Sequence, residues 1–115
     1  MISLKRIRKR QGRCYELALK VMLYESESDS FTLVHGRVEN IENGRFGHAW
    51  IELNNGLVYD TSANRYTPAG QYATENKAVV DHRYSRAEAL GLACLSHNCG
   101  PWTDDERREA TDEQQ

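Results

Sequence analysis

The chain has 115 residues, 39% of them hydrophobic, and a net charge of −2; with a mean hydropathy of −0.74 this describes one domain, 1–115, with a modest core and no room for a separate regulatory module. No apolar run approaches the ~20 residues of a membrane span, and the near-neutral balance gives no global electrostatic reason to expect a nucleic-acid partner. Three cysteines do not indicate a disulfide framework; no apolar segment with a small-residue cleavage site follows the first basic residues, so no signal peptide is expected and the cytoplasm is the expected compartment.

Residues 1–11 form a basic segment carrying Lys5, Arg6, Arg8, Lys9 and Arg10. It reads either as a solvated end or as a patch that binds phosphates or steers an acidic partner. Tyr15 is the one aromatic residue near it and belongs to the following helix, so base stacking is poorly supported. From Cys14 to Tyr24 the only charges are Glu16 and Lys20, four apart and able to pair on one helical face. A helix with so narrow a polar strip reads as a central one, packed on most sides.

Glu25 to Ser30 is a polar loop. Phe31 to Val38 is rich in β-formers and reads as a strand with Gly36 a potential bulge. Asn43-Gly44 marks a turn, Phe46 to Leu53 a second strand, Asn54-Asn55-Gly56 a hairpin loop, and Leu57 to Thr61 a third strand. Ser62 to Ala78, with Asn, Pro, Gly and Thr scattered through it, reads as loop, with a short strand near Val79-Val80. Ser85…Glu88 and Thr103…Glu106 both have capping-box spacing, which predicts a helix from Ser85 to about Leu95 and another in the charged C-terminal segment, 104–115. Cys99-Gly100-Pro101 breaks the chain between them. The order of elements predicts an α+β fold: a central N-terminal helix on a short antiparallel sheet of three or more strands, with C-terminal helices covering an edge.

Three residues then combine into chemistry. Cys14 opens a helix, where unpaired first-turn N–H groups and the positive end of the dipole stabilise a thiolate, and Arg13 adds to that field. Taken singly, Cys14 reads equally as a buried small hydrophobe, His48 as a structural strand histidine, and Asp60 as a strand-end carboxylate bonded to the turn after it. The hairpin register decides whether they meet. A two-residue turn at Asn55-Gly56 sends Asp60 to the Ile51 side, away from His48. A three-residue loop sets Leu53 opposite Leu57, making His48 and Asp60 diagonal neighbours on one face. That register also gathers Ala49, Ile51, Leu53, Leu57 and Tyr59 as an apolar face, at the cost of placing Val58 beside the triad. His82, Cys94, His97 and Cys99 are metal-ligand types, but their spacing matches no standard knuckle. Cys94 reads instead as helix core and His97 as a helix C-terminal cation, so no metal is expected.

Gly12-Arg13-Cys14 with Ala18 resembles the helix-opening nucleophile of the transglutaminase-like branch of papain-fold cysteine peptidases. His48-Ala49-Trp50-Ile51-Glu52 resembles that family's His-Ala-Trp strand, and Val58-Tyr59-Asp60-Thr61 its Asp-bearing strand. Leu33 to Val38 is similar to the strand between Cys and His. The likeness spans about Gly12 to Asn64, a catalytic core over 12–64, and lacks the Pro that often follows the family's Asp. It implies a papain-like minimal core in which Cys14 attacks a carbonyl, His48 shuttles the proton and Asp60 orients the imidazole. The implied activity is hydrolysis or acyl transfer, as in a thiol peptidase, amidase, deamidase or transglutaminase, on a peptide, protein or small amide and without a cofactor. Gln11 and the Cys14 N–H are candidate oxyanion donors, and Trp50 and Tyr66 candidate cleft walls, although a strand Trp is equally at home in a core. The alternative is a catalytically inactive papain-fold binding module.

Overall fold

The computed structural model describes residues 13–103. Helix α1 (Cys14–Tyr24) is followed by a short 3₁₀ turn (Ser28–Ser30) and strands β1 (Thr32–Asn40), β2 (Gly44–Glu52), β3 (Leu57–Asp60) and β4 (Arg65–Pro68). Then come α2 (Ala69–Asn76), β5 (Val79–Tyr84) and α3 (Arg86–Ser96). The five strands form one antiparallel sheet in the order β4-β3-β2-β1-β5, so the fold is α+β. Helix α3 lies over β1 and β5 beside α1. The helix expected after Thr103 lies outside the described residues.

Two apolar clusters, one on each side of the sheet, follow from the strand period of two. Leu33, Ala49 and Ile51 face α1 and α3 and pack with Ala18, Leu19, Met22, Tyr84, Ala89 and Trp102. Val34, Val38, Trp50 and Val58 point the other way and pack with Tyr72 of α2. Helix α1 buries Cys14, Ala18, Leu19 and Met22, while Glu16 and Lys20 pair at 3.2 Å on its outer face. Its burial is narrower than the sequence pattern predicts, because Tyr24 at its end is exposed. Arg86, the first residue of α3, ties the two helices by donating to the Met22 carbonyl at 3.1 Å, one of the C-terminal acceptors of α1.

The hairpin between β2 and β3 uses the three-residue loop. Ile51 pairs with Tyr59 and Glu52 with Val58, and the Leu53 N–H donates to the Leu57 carbonyl at 2.8 Å. Gly56 occupies φ +84°, a conformation that favours glycine. The β1–β5 register shifts between His35 and Gly36, but the extra residue is on β5: His35 pairs with His82 and Gly36 with Val80, leaving Asp81 as the bulge, so Gly36 faces the bulge rather than forming it. A Cβ at Gly36 would lie 2.2 Å from the Val79 carbonyl oxygen and 2.7 Å from the Trp50 ring, so only glycine lets β5 and the indole approach so closely.

Ser62 to Ala78 is a structured segment: β4 pairs with β3 from Leu57↔Pro68 to Asp60↔Arg65, and α2 follows it directly. Strand β5 runs on from Val80 to Tyr84, tied inward by Arg37–Asp81 and Arg83–Glu52 pairs. Helix α3 has the predicted capping box, with both the Ser85 and Glu88 bonds formed.

Candidate active site

Strand β3 stops at Asp60 and pairs with β2 only at its far end, so β2 runs past it with an unpaired edge. Helix α1 packs on β2 from one side of the sheet, and the row Phe46, His48, Trp50 faces the other. His48 lies between its neighbours in that row, 5.8 Å from Phe46 edge-on and 6.2 Å from Trp50 in a stacked arrangement.

The selected register brings His48 and Asp60 together. The His48 Nε2 and Asp60 Oδ2 are 2.9 Å apart in a buried pair. Asp60 is held from three further directions: Tyr72 Oη donates to Oδ2 at 2.7 Å, and the backbone N–H groups of Ser62 and Ala63 donate to Oδ1 at 3.0 and 3.3 Å. A carboxylate with four donors is fixed in orientation and in charge. Burial alone would raise its pKa, but the His48 hydrogen bond and charge, the Tyr72 hydroxyl and the Ala63 N–H outweigh burial and hold it below the usual range.

The other imidazole nitrogen, Nδ1, is buried with no hydrogen-bond partner among the described residues. Cys14 opens the helix that packs on β2, the strand carrying His48. Burial disfavours the charged ring, yet the Asp60 bond and the Cys14 sulfur overcome it and push the His48 pKa up to about 10. Cys14 is 1% exposed, so its side chain is closed to solvent in this conformation.

The remaining sequence candidates divide. Trp50 is 2% exposed; it lies beside His48 as core, 5.5 Å from the Tyr72 ring. Tyr66 pairs with Tyr59 on the opposite face of the sheet from Asp60 and stacks on it at 4.6 Å. Gln11 lies outside the described residues, and the Cys14 N–H stands at the uncapped start of α1. Arg13 bonds Glu16 at 3.1 Å. His82 stacks on Tyr84, Cys94 is exposed rather than core, and His97 ends α3 in a left-handed conformation. Among the described residues no three His, Cys, Asp or Glu side chains gather as a metal-ligand set, and no helix is long and apolar enough to cross a membrane.

Sequence reasoning missed Tyr72. Its one available signal was an aromatic residue inside a polar segment, and that signal is weak without a helix to place it on. No protein-family model, curated protein or solved structure matches the chain.

Proposed function

We propose that the protein is a papain-like, transglutaminase-like cysteine hydrolase or acyltransferase acting through Cys14, His48 and Asp60. The observation behind this reading is the single imidazole that bonds a buried carboxylate at 2.9 Å through Nε2, on the strand against which the cysteine-opened helix packs. Each residue of the set has a bland explanation alone; a buried His–Asp pair on a strand packed by a cysteine-opened helix supports the joint reading.

In the first half-reaction the Cys14 thiolate attacks the substrate carbonyl carbon, forming a C–S bond and a tetrahedral oxyanion. The Cys14 N–H, at the uncapped helix start, is the candidate donor to that oxyanion. Collapse breaks the bond to the leaving amine, which takes its proton from the His48 imidazolium, and leaves a thioester. In the second half-reaction His48 removes a proton from water or an acceptor amine, which attacks the thioester; the C–S bond breaks and the thiolate returns. Asp60 stays ionised throughout and holds the imidazole in place. Water as acceptor gives a peptidase, amidase or deamidase, and an amine gives a transferase.

The deep burial of Cys14 favours a second reading, an inactive binding module of the same fold. Mass spectrometry after incubation with a panel of activated amides and esters separates the two. An acyl mass on Cys14, lost in Cys14→Ala, is the expected result; no adduct from any probe points to the binding module.

A further inference from the structure

We infer that Tyr72 is a positioning residue for the proposed triad, acting on His48 through Asp60. This inference rests on the catalytic reading above but has a test that does not depend on it.

The Tyr72 hydroxyl and the His48 Nε2 share one oxygen, Asp60 Oδ2, at 2.7 and 2.9 Å. Two donors on one oxygen divide its accepting capacity, so the Tyr72 bond sets both where Oδ2 sits and how strongly it holds the imidazole. The other oxygen is occupied by the Ser62 and Ala63 N–H groups. Without the hydroxyl, Oδ2 keeps the His48 bond as its one side-chain partner, and the carboxylate is positioned by that bond and the turn alone.

Tyr72 comes from an element with little else to hold it. Helix α2 has one buried side chain, Tyr72 itself, and no side-chain cap at its start. Ala69, Gly70, Gln71, Ala73, Thr74 and Glu75 are exposed. The tyrosine therefore performs two tasks: its ring, 5.5 Å from Trp50, docks the helix on the sheet, and its hydroxyl reports that docking to Asp60. Helix α2 seated means a carboxylate aligned on His48; helix α2 lifted means a carboxylate short of one donor.

The test uses Tyr72→Phe, which keeps the ring and removes the hydroxyl, alone and combined with Asp60→Ala. Two readouts are taken: the low-field proton resonance of the His48 imidazole N–H, and single-turnover acylation of Cys14 by p-nitrophenyl acetate. In Tyr72→Phe the resonance is expected to shift and the saturating acylation rate to fall about 10-fold, as for loss of a hydrogen bond to a charged group, with half-saturation within about 2-fold of wild type. In the Asp60→Ala background, Tyr72→Phe is expected to produce no further loss, because its route to the ring is gone. An unchanged resonance, or the same fractional loss with and without Asp60, would make Tyr72 a packing residue only and overturn the inference. A resonance that shifts in a protein whose wild type is never acylated would uphold the positioning role and sink the catalytic reading instead.

Discussion

Asp60 and His48 are both displaced from their ordinary titration, in directions that stabilise the same charged pair, and this gives folding stability a defined pH signature. A group whose pKa is raised in the folded state contributes fully below its unfolded value, about 6.5 for histidine, and loses that contribution as pH rises through the folded value, here about 10. A carboxylate held low contributes above its unfolded value, about 3.9, and loses the contribution as pH falls through the folded one. The pair is therefore strongest between roughly pH 4 and 6.5. Urea denaturation of wild type and His48→Gln across pH 5 to 10 checks this: the stability gap is expected to be widest near pH 5.5 and to narrow steadily toward pH 10. A gap that widens with pH would mean that the ring is buried neutral.

The secondary elements show which features of this chain can be read from the sequence. The β2–β3 hairpin is legible because apolar alternation and the position of Gly56 agree on one register, and that register decides the His48–Asp60 contact. Helix α3 is legible through its cap. Ser85→Ala is expected to cost about 1 kcal/mol in urea denaturation, the usual worth of an N-cap; no change would mean that helix packing alone sets the end. Strand β4 and helix α2 are not legible. The strand exposes three of its four residues, and α2 has one inward side chain, so neither writes a period into the sequence. Tyr72 is hidden for the same reason. Gly36 reads as a bulge from sequence, but the bulge is Asp81 on β5 opposite it, and the glycine serves close approach instead: Gly36→Ala drives a Cβ into the Val79 carbonyl and the Trp50 ring. The expected cost is about 1–3 kcal/mol, the range for overpacking, measured by urea denaturation, with loss of amide-exchange protection concentrated in β5.

Across the whole molecule, the sheet separates a larger core under α1 and α3 from a smaller one under α2, and the proposed site lies where the sheet is notched between them. The larger core is closed by the chain after α3. Trp102 packs 5.0 Å from both His35 and Tyr84, and His35 in turn lies 4.9 Å from Tyr15 at the start of α1. Trp102→Ala is expected to cost about 3–5 kcal/mol, as for other large aromatic truncations, in denaturation followed by circular dichroism; a cost under about 1 kcal/mol would mean that this segment is not part of the core.

The three cysteines supply an internal comparison for the central proposal, because the cysteine with the proposed catalytic neighbours is also the one least open to solvent. Cys94 is exposed, Cys99 half-buried and Cys14 buried. The most direct measurement is peptide-resolved alkylation of the native chain by limiting iodoacetamide at pH 7. Labelling of Cys14 ahead of Cys94, with the order reversed in His48→Gln, is the expected result, because only a thiolate sustained by the imidazole offsets its poor access. Labelling of Cys94 first, with Cys14 modified only when the protein unfolds, would contradict a nucleophilic Cys14.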